Sequence, residues 1–179
     1  MKGIVFTEFI EMVEQEYGLE IADHLISSTA LPSGGAYTAV GTYSHDEMLQ
    51  LLGALSEKTN TGTSVLLKAF GRYLFDTFLK SYPAFFQRAS TAFDFLESIE
   101  NHIHVEVIKL YHDAQLPKFT TKKIEASGLE MIYSSERKMA DFAEGLIERT
   151  MEHYQTPYEM EKVKLNQEGS MVKFTIKKI

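Results

Sequence analysis

The chain has 179 residues, enough for one domain with a substantial core or for two lobes. With 44% apolar and 24% charged residues it reads as globular, neither disordered nor fibrous. A net charge of −7 argues against nucleic acid as a partner, and the lack of cysteine excludes disulfides, thiolate catalysis and zinc–thiolate centres.

The opening stretch is interrupted by Glu8 and Glu11, too early for a signal sequence or a membrane span, so a cytoplasmic protein is expected. Val5, Phe9, Met12 and Val13 fall at helical spacing over 4–17, with Gly18 as C-cap. A second helix fits Glu20–Ser28, ended by "LPSGG". "SHDE" offers Ser44 and Glu47 as a capping box for a helix running to about Lys58. "SVLLKAFGRYLFDTFLKSY" predicts a long buried helix over 64–82, stopped by Pro83. An amphipathic run from Phe93 to Tyr111 follows a break near Ser90.

The pattern changes at Pro117. "KFTTKKIEA", "LEMIYSS", "YEMEKVKL" and "MVKFTIKK" read as strands, and "NQEGS" joins the last two as a hairpin loop. The apolar phase slips between Met160 and Val163, which suggests a bulge. Between the second and third strands lies a helix, "ERKMADFAEGLIERTMEHY", with Ser135 as a candidate N-cap. The expected class is α+β: a helical N-terminal half, about 1–60, and an antiparallel sheet with helices over about 61–179.

Three of the six histidines cluster in "NHIHVEVIKLYH". His102 and His104 do not share a helix face, so a two-histidine chelate fails on geometry. His104 shares a face with Val107, Ile108 and Tyr111 and points into apolar surroundings, while His102 aligns with Glu106 and faces water. Taken alone, His104 also reads as a core histidine satisfied by a backbone carbonyl. In "IYSSERK", Tyr133, Ser135 and Arg137 alternate, so an extended chain would aim three donors at one anion. The competing reading is an exposed strand end whose serine caps a helix and whose arginine pairs with a carboxylate. No phosphate-binding glycine loop, G-x-S-x-G or H-E-x-x-H is present. The aromatic stripe Phe70, Tyr73, Phe78, Phe85 and Phe86 suits a core, or equally the wall of a flat apolar cofactor. One group would join these features. A haem needs an apolar slot, an imidazole on iron and donors for two propionates, and no C-x-x-C-H is available for covalent attachment.

With those residues in hand, the chain resembles the H-NOX family, the haem nitric oxide/oxygen-binding domains related to the haem domain of soluble guanylate cyclase. The resemblance spans the whole length. It rests on "MKG" at the start, Tyr17–Gly18, "KAFG" at 68–71, and Y-x-S-x-R as "YSSER" with His104 standing 29 residues before Tyr133. It implies a non-covalent haem b, Fe(II) in the sensing state, held between the two halves. His104 is then the proximal iron ligand, Tyr133, Ser135 and Arg137 bind the propionates, and Pro117 presses on the haem. Val5, Phe9, Leu74, Phe78, Phe142 and Leu146 are the implied distal positions. O2-binding members carry a tyrosine five residues after the motif arginine; here that residue is Phe142, and no distal position offers a donor. The resemblance thus implies selectivity for NO, with CO also binding, and signalling by weakening of the iron–His104 bond. The chain is expected to be a sensor, not an enzyme, with output on a separate histidine kinase or cyclic-di-GMP enzyme. A haem redox sensor or an O2 sensor is the alternative.

Overall fold

The structure, a computed structural model, describes residues 1–124 and 127–179. It divides into two compact units, Met1–Phe70 and Gly71–Ile179.

The first unit is helical. Helix α1 (Gly3–Tyr17) buries Phe6, Phe9, Met12 and Val13, a stripe at three- and four-residue spacing. It ends at Gly18, whose φ of +91° is open to glycine and strained for other residues. Helix α2 (Leu19–Ser28) contributes Ala22 and Leu25, and α3 (His45–Thr59) contributes Met48, Leu51, Leu52 and Leu55. The expected capping box does not form. Ser44 Oγ accepts from the Asp46 N–H at 3.2 Å, but Glu47 turns inward. Its carboxylate, only 3% exposed, accepts from the Ser33 hydroxyl and from Tyr37 Oη at 2.9 Å. A buried carboxylate takes the strongest donors within reach, and the loop after α2 supplies two hydroxyls.

The loop returns to the chain start, where Lys2 bridges to Thr42. A Cβ on Gly3 would lie 1.8 Å from the Thr38 carbonyl oxygen, so the glycine of "MKG" marks a close backbone approach.

Helix α4 (Thr63–Ser81) runs across the unit boundary and stops before Pro83, which opens the short α5 (Pro83–Gln87). The predicted 93–111 helix comes in three pieces: α6 (Ala92–Ser98), a π-helical turn (Ile99–Ile103) and α7 (His104–Leu110). Four strands follow, β1 (Lys118–Ile124), β2 (Gly128–Ser134), β3 (Tyr158–Lys164) and β4 (Met171–Lys178). The last two residues of the strand expected over 118–126, Glu125 and Ala126, lie outside the described residues.

The strands form one antiparallel sheet in the order β1-β2-β4-β3. Leu129, Met131 and Tyr133 of β2 and Val172, Phe174 and Ile176 of β4 alternate onto one buried face. Helix α8 (Ala140–His153) covers that face with Ala143, Ile147 and Met151, and α6 adds Ala92 and Leu96. The bulge expected in β3 is absent: Tyr158 to Lys164 pair without interruption against Lys178 to Val172. Most of β3 is solvent-facing at the sheet edge, so no buried face enforces alternation there. A second cluster gathers Phe75, Phe86 and Phe95, with Phe78, Ile103 and Leu146 against it. This is the predicted α+β class.

Candidate haem-binding site

The site starts from the broken helix. At the π turn the His104 N–H reaches back to Ile99 O, five residues away, which inserts one extra residue into the helix. His104 opens α7 with its side chain 14% exposed. Its Nδ1 lies 3.2 Å from Glu100 Oε2, and that same oxygen accepts the Phe119 backbone N–H at 2.9 Å. Burial pushes the proton affinity of the His104 ring below that of an ordinary histidine, while Glu100 pulls it back up. An imidazole that donates from Nδ1 keeps a lone pair on Nε2, and no hydrogen bond from the described residues reaches Nε2. The partner is therefore a carboxylate and not the backbone carbonyl of the core-histidine reading.

The surroundings of His104 also differ from expectation. Ile108 is 45% exposed, and His104 rests against Phe119 at the start of the sheet. The ring centroids are 5.8 Å apart, and Phe119 lies a further 5.8 Å from Tyr133. The π turn ends before His104, so His104, Val107 and Ile108 keep one face of α7, but that face is only partly covered and Tyr111 lies beyond the helix end. His102 is exposed, as expected. Pro117 is half-buried two residues before Phe119.

"YSSER" is not a strand throughout. β2 ends at Ser134, and Ser135 to Arg137 form a turn in which Ser135 Oγ accepts the Arg137 N–H at 3.2 Å. Ser135 does not cap α8, which begins at Ala140 without a side-chain cap. The Met139 N–H is instead held by the Tyr133 hydroxyl at 3.0 Å. The three side chains thus cluster through a turn, not through strand alternation. Burial raises the pKa of the Tyr133 phenol, opposed by its bonds to Ser135 and Met139 and by the charge of Arg137. Arg137 donates to the Gln115 carbonyl and, at 3.3 Å, to Gln115 Oε1. Burial lowers its pKa, and no carboxylate among the described residues pairs with it. A half-buried guanidinium facing only a neutral amide retains the capacity to take an anion.

The positions implied for the gas side carry no polar side-chain group. Leu74 is buried on α4, and Phe78 and Leu146 border the aromatic cluster. Phe142 lies where α4 and α8 meet: a Cβ on Gly71 would stand 2.2 Å from its carbonyl oxygen. Arg72 to Glu148 and Glu152, and Arg149 to Asp76, join the same two helices by ion pairs. In the first unit, Val5 is half-buried on α1 and Phe9 is fully buried, edge-on to Phe70 with centroids 5.2 Å apart.

Three residues escaped the sequence reading. Glu100 was findable as the i−4 neighbour of His104. Phe119 reads simply as a strand apolar residue, and Gln115 carries no signal.

A half-buried imidazole whose Nε2 takes no bond from the described residues, with a carboxylate behind Nδ1, suits an iron ligand. An unpaired guanidinium beside two hydroxyls suits carboxylates. These residues fit a haem.

The family model described as Haem-NO-binding matches residues 2–162. Among solved structures, the Fe(II) unliganded H-NOX protein from K. algicida is 44% identical, covering 100% of this chain and 97% of that one, with a TM-score of 0.95. The IWP-051-bound H-NOX from Shewanella woodyi, in the Fe(II)CO state, is 37% identical over 100% and 95% of the two chains, with a TM-score of 0.85. An H-NOX protein from S. oneidensis in the Fe(II)NO state shares the fold at a TM-score of 0.92 and 24% identity, covering 100% and 99%. No match was found among curated protein sequences. The chain belongs to the haem-NO-binding, or H-NOX, family of gas-sensor domains.

Proposed function

We propose that this chain is an NO-selective haem sensor that acts on a separate effector protein. The observation that supports it best is His104, whose Nδ1 faces Glu100 while Nε2 takes no bond from the described residues. A bound haem would supply an iron able to take the His104 imidazole and a diatomic gas as ligands. His104 is the proximal ligand, with its neutral ring favoured by burial. Tyr133, Ser135 and Arg137 hold the propionates, Arg137 contributing the charge and the hydroxyls the orientation. Pro117, just ahead of β1, would press on the haem as the family resemblance implies. Val5, Phe9, Leu74, Phe78, Phe142 and Leu146, the positions which that resemblance assigns to the gas side, offer no donor. A polarised O2 adduct depends on such a donor far more than NO does, so selectivity follows from what these six side chains lack.

The signal leaves through His104. If a gas ligand weakened the hold of a bound haem on His104, α7 and the π turn before it would lose that anchor and be free to shift against β1. No helix among the described residues is long and apolar enough to cross a membrane. The effector is a histidine kinase or a cyclic-di-GMP enzyme. Absorption spectra of the ferrous protein alone and with O2, CO and NO test the reading. Binding of NO and CO without a stable O2 complex is expected; a long-lived O2 complex in air would replace NO selectivity with O2 sensing.

A further inference from the structure

We propose that Glu100 is the positioning residue that fixes the tautomer and orientation of His104 and ties that ring to the edge of the sheet. One carboxylate oxygen, Oε2, meets two donors: His104 Nδ1 at 3.2 Å and the Phe119 backbone N–H at 2.9 Å. An ionised carboxylate only accepts, so Nδ1 must carry the proton and Nε2 must present its lone pair. A carboxylate behind an imidazole also makes the opposite nitrogen a stronger electron donor. The inference rests on His104 as the iron ligand.

The second bond is what distinguishes this arrangement from a local ion pair within a helix. β1 is an edge strand, and Phe119 pairs with Tyr133 on its β2 side. Its N–H is held by Glu100 from the helix, which also covers an otherwise open edge donor. A second tie runs parallel, with Lys123 Nζ 3.1 Å from Glu97 Oε2. Glu100 therefore sits where a change at His104 passes directly to the backbone of the strand paired with the "YSSER" strand.

The test uses the ferrous, haem-loaded full chain. Resonance Raman spectroscopy reads the iron–histidine stretching band in wild type, Glu100→Ala and Glu100→Gln. Loss of the carboxylate weakens the donor nitrogen, so the band moves to lower frequency in Glu100→Ala. It moves less, in the same direction, in Glu100→Gln, which keeps an acceptor without its charge. In the diamagnetic CO complex, the His104 Nδ1 proton should give a protected NMR signal in wild type and exchange rapidly in Glu100→Ala. A purely structural role for Glu100 would not move the band. If Glu100→Ala fails to hold haem, Glu100→Gln carries the same comparison. A wild-type band that stays in place in the variants overturns the role of Glu100 and leaves His104 as the ligand. A wild-type protein with no iron–histidine band removes the His104 assignment, and the role of Glu100 with it.

Discussion

The ring of Phe119 stands 5.8 Å from the imidazole of His104, and on its other side it stands 5.8 Å from Tyr133. A strand residue that the sequence presents as ordinary core thus connects the candidate iron ligand to the candidate propionate cluster. Helix α7 and strand β2, separated in the chain by β1, meet on one side chain.

Among the described residues, replacing His104 by glycine removes the only imidazole so placed. The purified variant should lose haem, and added imidazole should restore it by filling the vacated space. Haem retained by His104→Gly with an unchanged spectrum, and lost instead from a His102 or His112 variant, would move the ligand elsewhere.

Among the described residues, the Arg137 guanidinium donates to Gln115, a neutral partner that competes weakly with a carboxylate. Arg137→Ala should speed haem transfer to an acceptor protein. One charge-assisted bond contributes about 1.5–3 kcal/mol, or roughly ten- to a hundredfold in rate if the loss falls on dissociation. Equal transfer rates in wild type and variant would remove Arg137 from the propionate site.

Phe142 lies at the contact of α4 and α8, where Gly71 admits close approach. Phe142→Tyr adds a hydroxyl at the position where O2-binding family members carry theirs. A stronger O2 complex should result, by roughly one to two orders of magnitude for one hydrogen bond to a charged acceptor. Air titration of the ferrous variant against wild type measures it; an O2 affinity equal to that of wild type would show that a donor at 142 does not reach the gas.

Gly3→Ala should destabilise the first unit, because the added methyl would enter the Thr38 carbonyl oxygen. Overpacking of this kind costs about 1–3 kcal/mol. Thermal unfolding should shift down by several degrees, with haem affinity changed less than stability. An unchanged midpoint would mean that the loop at Thr38 yields freely.

Tyr37 stacks on Phe6 with centroids 4.5 Å apart and donates to Glu47, and burial foremost raises its phenol to about 12. The folded value lies above the unfolded one, so its contribution is full below pH 10 and is lost as pH rises towards 12. Tyr37→Phe should flatten the alkaline limb of a stability–pH curve. Identical limbs in both proteins would assign the alkaline loss to other groups.

Much of this was legible in the sequence, for identifiable reasons. The helix ends at Gly18 and Pro83 follow from backbone constraints that no tertiary contact overrides. The β4 alternation is fixed by one buried face. His104 was set apart by the family resemblance, through its separation from Tyr133, and not by its own pattern, which reads equally as a core histidine. The misreadings share a cause. Ser44 and Glu47 have the spacing of a capping box, but Glu47 answers to Ser33 and Tyr37, which only the folded loop brings near. Ser135 looks like a cap or a strand residue and is instead the pivot of a turn. β3 suggested a bulge because its exposed edge imposes no pattern. Glu100 drew no reading, because only the folded sheet brings the Phe119 N–H opposite it.

The wide turn at Ile99–Ile103 holds one residue more than an α-helical turn needs. It is in effect an insertion stored inside a helix. Removing any one of its residues would let the segment close into ordinary α-helix, with the His104 N–H bonding four residues back instead of five, and the turns on either side would keep their phase. His104 would still face Phe119. Exchanges at the exposed Asn101 and His102 leave the turn as it is. This stretch can therefore absorb a one-residue loss that an ordinary α-helical turn would pass on as a rotation of about 100° in everything beyond it.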